Sequence, residues 1–360
     1  MKRMLVVCPY PEDVAPSQRL KFEQYYDYFR QQGWEVEVAP FISTAFWKVI
    51  YKKGHVLPKA FHTVLGYLRR MKTLFTVARY DLVYVHLWVT PLGPPVFEWL
   101  YRKAAKKIVY DIDDLVYLKR PNKAHPFISI IKGRKKPIYL MRHSEHVITC
   151  TPYLDEFVRR YNTTTTDISS TIDTERYHPK TEYSSNGKFI IGWSGSHSTS
   201  RYLYLLADVF RDLSKEMDYK LVVMGDNTFS ISGVEVETLP WKEEHEISTI
   251  SRFDVGLYPL PDEEWVLGKS GLKALQYMAL GIPTVATAIG TIFRIIDNGK
   301  NGFLASSSEE WKSQILQLRN SQALRQNIGK SAAQTVQARY SVRANRDVYL
   351  SVLNHTVAQP

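Results

Sequence analysis

Short apolar runs alternate with amphipathic stretches along this chain, and the series starts afresh near its middle. Residues 4–8 are apolar and end in a Pro-containing turn. Residues 17–32 then read as a helix closed by Gly33, with Phe22, Tyr25, Tyr26 and Phe29 at i, i+3, i+4 and i+7. Residues 35–39, 81–87, 107–111 and 146–150 read as strands, and 94–105 and 151–161 as helices. Thr151 suits the N-cap of the latter helix and Pro152 its first turn. Turn-forming residues and Pro179 mark 169–182 as a linker. Beyond it, strand patterns at 189–193, 220–224, 254–259 and 284–287 alternate with helical ones at 199–216, 309–318 and 323–338. Such alternation demands parallel sheets with helices on both faces. A length of 360 residues fits two such units. The expectation is therefore an α/β protein of two Rossmann-like domains, 1–170 and 171–340, facing a central ligand cleft at the carboxyl ends of the strands.

Charge divides unevenly. Residues 1–170 hold 27 Lys/Arg against 15 Asp/Glu, a net of +12, and the remainder nets −1. A basic half beside a neutral half points to an anionic surface or polyanion meeting the first half. The two cysteines, Cys8 and Cys150, sit in separate apolar runs and read as buried thiols rather than a disulfide or metal framework. The basic start breaks too early, at Pro9, Glu12 and Asp13, to read as a signal peptide. No apolar stretch approaches the roughly 20 residues of a spanning helix. The expected setting is cytoplasmic, peripheral on the inner face of a membrane.

Residues 268–287 carry the most chemistry. A Gly-rich turn, Gly268-Lys269-Ser270-Gly271, opens an amphipathic helix that stops at Gly281 before Pro283, and the β-branched run 284–287 follows. Lys269, Lys273 and Gln276 share one face of it. A helix start bearing two cations is a place to hold phosphate, although an ordinary crossover helix with surface lysines has the same look. A second such start lies upstream. Gly192-Trp193-Ser194-Gly195-Ser196-His197-Ser198-Thr199 joins a strand to a helix, and its glycines and hydroxyls admit an anion closely. It is not the dinucleotide fingerprint, and a plain tight turn is the alternative. Two phosphate-friendly turns in one domain suggest a nucleoside diphosphate.

Together these stretches resemble the retaining GT-B glycosyltransferases of family 4, also called group 1. The similarity is carried by Phe253-Asp254-Val255-Gly256-Leu257-Tyr258-Pro259-Leu260-Pro261-Asp262, by 268–287, by Gly290 and by Asn301-Gly302-Phe303-Leu304. In the first half and linker it is weaker, resting on His86, Tyr110-Asp111-Ile112-Asp113-Asp114 and Thr171 to Pro179. There are departures. The family's two glutamates fall on Gly268 and Gln276, and its basic pair after the first strand of this domain is missing unless Arg201 serves.

The resemblance implies a sugar transfer from a nucleotide-sugar donor to a glycan or lipid-linked acceptor, with retention, in cell-surface polysaccharide synthesis. It implies no cofactor and no metal, since the nucleotide-sugar is a substrate. It also implies that the 341–360 segment packs back on the first domain. The donor would meet Ser194, Gly195, Ser196, Asp262, Gly268, Ser270, Gly271 and Gln276. Lys269 and Lys273 would neutralise the leaving diphosphate, while Asp113 and His86 would position the sugar. Ser17, Arg19, Asp111 and Asp114 would face the acceptor, with a plain surface arginine as the other reading of Arg19. The Asp111–Asp114 cluster also resembles the metal-holding D-x-D of GT-A transferases, and helix capping is a further reading. His86, inside an apolar strand, equally suits a satisfied core histidine. A nucleotide-sugar 2-epimerase of the same fold, or a degenerate membrane-bound assembly partner, remain as alternatives.

Residues 45–79 invite a membrane reading. Phe61, Val64, Leu65, Leu68 and Phe75 recur at helical spacing, with Lys59, Arg69, Arg70 and Lys72 on other faces and Phe46-Trp47-Lys48 and Tyr51-Lys52-Lys53 ahead of them. Aromatic anchors beside cations suit an anionic bilayer, and a packed amphipathic helix is the alternative. No nucleic-acid-binding module is visible, so nucleic acid is not an expected partner.

Overall fold

The computed structural model describes residues 1–52, 54–113, 115, 135–183 and 187–359. The chain divides into two compact units, 1–170 with 345–360, and 171–344. The Val342–Ala358 helix begins in the second unit and carries its later turns into the first.

Among the described residues the first unit holds one parallel sheet of β1 (Lys2–Cys8), β2 (Trp34–Pro40), β3 (Leu82–His86), β4 (Ile108–Asp111), β5 (His146–Thr149) and β6 (Thr165–Asp167), in the order β2-β1-β3-β4-β5-β6. The central strands are buried on both faces, which is why they read as unbroken apolar runs rather than alternating ones. Register sets His86, the last residue of β3, beside Asp111, the last of β4. Sequence patterning also implied one helix over 17–32, but the structure breaks it. The Pro16–Arg19 helix, a 3₁₀ turn at Glu23–Tyr25 and the Tyr26–Gln31 helix occupy the stretch. Side chains tie the break to the preceding loop. Gln18 accepts from the amide of Tyr10 and donates to its carbonyl, while Glu23 accepts from the amide of Asp13.

The second unit repeats the plan with β7 (Phe189–Ser194), β8 (Tyr219–Met224), β9 (Val236–Leu239), β10 (Val255–Tyr258), β11 (Thr284–Thr287) and β12 (Phe303–Ala305), in the order β12-β11-β10-β7-β8-β9. These are two six-stranded parallel sheets of Rossmann type, the architecture of GT-B glycosyltransferases. The edge strands β6, β9 and β12 carried no sequence expectation. They are only three or four residues long, and β6 and β9 also lack the apolar run that marks the central strands. Residues 199–216 resolve into the short His197–Ser200 helix, a 3₁₀ segment at Arg201–Leu206 and the Ala207–Glu216 helix. Thr151 does cap the Pro152–Arg159 helix, its side chain accepting from the Leu154 amide. Cys8 and Cys150 are free and buried.

Arg70 corrects the sequence reading of a basic helical face. It is fully buried, and its guanidinium donates to the carbonyls of Val89, Ala39 and Cys8 at 2.7, 2.6 and 2.8 Å. A guanidinium with five fixed donors can tie several strand-end carbonyls at once, which a lysine could not. Among the described residues no helix is long and apolar enough to cross a membrane.

Candidate functional site

In the second unit the strand ends and the Leu272–Ala279 helix build a cationic corner. Gly271 holds φ at +76°, a left-handed turn that starts this helix, and a Cβ there would lie 2.4 Å from Ile295 Cδ1. In its first turn, Lys273 projects beside the loop after β7. Its Nζ lies 4.8 Å from the centroid of the Trp193 ring, 5.7 Å from that of Tyr258 and 3.3 Å from Thr199 Oγ1. Gly195 makes room for it, since a Cβ on Gly195 would come within 2.8 Å of Lys273 Cε and 2.4 Å of Trp193. Lys273 keeps some contact with solvent, yet the aromatic rings hem it in. Burial first, and then the neighbouring charge of Lys269, push its pKa down to about 7. Lys269 in turn lies over the Trp265 ring, at 5.6 Å, and Trp265 packs on Tyr202, whose hydroxyl accepts from Arg201. Arg201 and Lys269 thus border one aromatic pair, and Lys269 lies close enough to Lys273 for its charge to be felt there.

The βα loop itself is knitted internally. The Ser194 amide donates to Tyr277 Oη, the Gly195 amide to the Met224 carbonyl and the Ser196 amide to Thr199 Oγ1. These amides, which the sequence suggested as phosphate ligands, are occupied in this structure, and the cations are the charged groups the corner offers an anion. Beneath the loop Asp226 accepts from Ser200, Thr228 and His197. Burial would raise its carboxyl, but those bonds outweigh it and hold the pKa well below the usual carboxylate range. Gln276 is buried, and its amide donates to Tyr177 Oη, which donates to Glu246. Gly268 ends the 3₁₀ turn Glu264–Gly268, Ser270 is half-buried, and Asp262 is exposed on the loop after β10.

The first unit gathers a second cluster at the ends of β3 and β4. His86 is fully buried, its Nδ1 3.5 Å from Asp111 and its Nε2 4.0 Å from Asp113, and among the described residues neither ring nitrogen has a hydrogen-bond partner. Phe22 packs on the imidazole at 4.9 Å. The next residue, Leu87, sits in the left-handed region at φ +59°, a strained position for a branched side chain and one that tends to mark functional sites. Asp111 is enclosed by Lys21 and Tyr84, both of which donate to it. Burial opposes the ionic form of each partner. Their mutual charge prevails, lowering the Asp111 pKa and raising that of Lys21. Asp111 was expected to face an acceptor, and the structure instead seals it in this ion pair behind His86. Asp113 is the more accessible carboxylate. Arg19 is nearly buried and Ser17 half-buried in the Pro16–Arg19 helix, and Asp114 lies outside the described residues. Among the described residues no three acidic, histidine or cysteine side chains converge so as to hold a metal ion.

Residues 188–321 match the family of glycosyl transferases group 1. Over 315 residues the chain is 23% identical to a D-inositol 3-phosphate glycosyltransferase from Arthrobacter sp. (strain FB24), covering 77% of this chain and 71% of that one. Its fold is similar to that of the sucrose-phosphate synthase from Thermosynechococcus elongatus, with a TM-score of 0.72 at 14% identity over 99% of both chains. It is similar, too, to Anabaena HepE in complex with UDP-glucose, with a TM-score of 0.69 at 15% identity over 99% of this chain and all of that one. The family match and the shared fold support a GT-B glycosyltransferase. The matched stretch contains the whole cationic corner. Sequence reasoning found Lys269, Lys273 and Gly195 but missed Trp193 and Tyr258 as walls of the lysine, and Asp226 as the anchor of the loop. Asp226 follows Gly225 at the end of β8, a strand-end carboxylate that could have signalled it.

Proposed function

We propose that this chain transfers a sugar from a nucleotide-sugar donor to a lipid-linked or polysaccharide acceptor, with retention and without a metal. The observation that carries the reading is Lys273. A cation walled by Trp193 and Tyr258 and repelled by Lys269 is under-compensated as it stands, and a diphosphate would supply the missing charge. In the proposed step the bond from the sugar's anomeric carbon to the diphosphate oxygen breaks. The acceptor oxygen bonds the same face of that carbon, and its proton passes to the departing diphosphate. No side-chain base is needed. Lys269, Lys273 and Arg201 stabilise the charge as it develops. A hexose donor and a role in cell-surface glycan synthesis belong to the same proposal.

Thermal unfolding with UDP, GDP, ADP and CMP, each with and without EDTA, tests it. A nucleotide at a hundred times its dissociation constant adds about 2.7 kcal/mol. One nucleotide should raise the midpoint equally in both conditions. A response to none of them overturns the donor reading, and a response only without EDTA overturns metal independence.

A further inference from the structure

The Val56–Leu74 helix presents its apolar side to solvent. Its inward face is anchored by Gly66, so close to the Phe41 ring that a Cβ would lie 2.6 Å away, and by the buried Arg70. On the opposite face Leu57, Phe61, Val64, Leu68 and Met71, with Phe75 just beyond the helix, follow one another at steps of three and four residues. Their exposures are 82, 62, 57, 59, 43 and 80%. At 1.5 Å per residue the stripe is about 27 Å long. Globular surfaces seldom leave so continuous an apolar strip in water without a use for it. Within its own stretch of sequence the charge has one sign. No Asp or Glu occurs between Glu37 and Asp81, and Lys48, Lys52, Lys72 and Arg79 in that span are exposed.

We propose that this face is an interfacial anchor, lying in the headgroup region of an anionic bilayer with the stripe buried among the acyl chains and the cations on lipid phosphates. A second copy of the chain fits the face less well, because pairing two stripes would bring two rims of like charge together. The inference goes beyond the sugar-transfer reading and does not depend on it.

The test is co-sedimentation of the whole protein with vesicles of phosphatidylcholine alone or with 30 mol% phosphatidylglycerol, beside a gel-filtration mass and a UDP-binding titration. Binding should be at least tenfold tighter to the anionic vesicles and should weaken in 0.5 M salt. The exposed double substitution Phe61→Asp with Leu68→Asp should abolish it, leaving the thermal midpoint and UDP binding unchanged. Phe61→Trp, a mild change, should show a blue shift of its fluorescence on anionic vesicles alone. Equal binding by the double variant, no blue shift, or a dimer that the double variant dissociates would each overturn the anchor. Absence of UDP binding in the parent protein would instead count against the donor reading and leave the anchor untouched.

Discussion

At the scale of single residues, Lys273 is the group whose chemistry can be followed by titration. Its pKa of about 7 lies below the ordinary 10.5 because burial and Lys269 disfavour the charged form. Between those values the unfolded chain holds a proton that the folded chain lacks. This group therefore adds stability to the free protein as pH rises from 7 toward 10.5, and that contribution is absent below 7. A bound diphosphate reverses the balance by favouring the ammonium. UDP binding at pH 8 should then take up close to one proton, and its affinity should fall by up to tenfold per pH unit above 7. Titration calorimetry in two buffers of different ionisation enthalpy measures the uptake, and Lys273→Met should remove it. Binding with no proton taken up in the parent protein would show that Lys273 does not meet the diphosphate. The lysines were legible in the sequence because helical spacing alone set them on one face. Their walls were not, because Trp193 and Tyr258 stand in β7 and β10, where an aromatic residue looks like any other core residue. Asp111 shows the converse. Its D-x-D spacing drew attention to function, while the Lys21 that seals it lies 90 residues away, a pairing no local pattern reveals.

At the scale of elements, the central strands and the lysine helix were legible, whereas the interrupted helices were not. Spacing over 17–32 and 199–216 satisfies a continuous helix. In the structure the breaks are enforced by tertiary bonds such as Gln18 to Tyr10 and Ser200 to Asp226. The start of the Leu272–Ala279 helix gives a measurable case. Gly271→Ala places a side chain in a left-handed backbone and drives its Cβ against Ile295, and the two penalties sum to about 2–5 kcal/mol. Gly299→Ala separates them, because Gly299 is also left-handed, at φ +77°, but a Cβ there meets nothing within 4 Å. It should cost only about 1 kcal/mol. Urea denaturation of both variants checks this. Equal losses would mean that contact with Ile295 does not hold the turn.

At the scale of the whole molecule, the restart of the strand–helix series announced two units. The structure draws the boundary at 170/171 and returns residues 345–360 to the first unit. Every donor-side cation named above belongs to the second unit, and the net positive charge belongs to the first. That segregation predicts how the molecule responds to ligand. A ligand raises the stability only of the state that binds it, by mass action. Scanning calorimetry should therefore resolve two transitions, of which saturating UDP moves one. The second unit has about 170 residues, so a gain near 2.7 kcal/mol corresponds to a rise of roughly 5–11 °C in that transition. Lys273→Met should suppress the rise without moving the other transition. If UDP raised both transitions together, the nucleotide would be drawing on residues of both units, and the second unit alone would not account for donor binding.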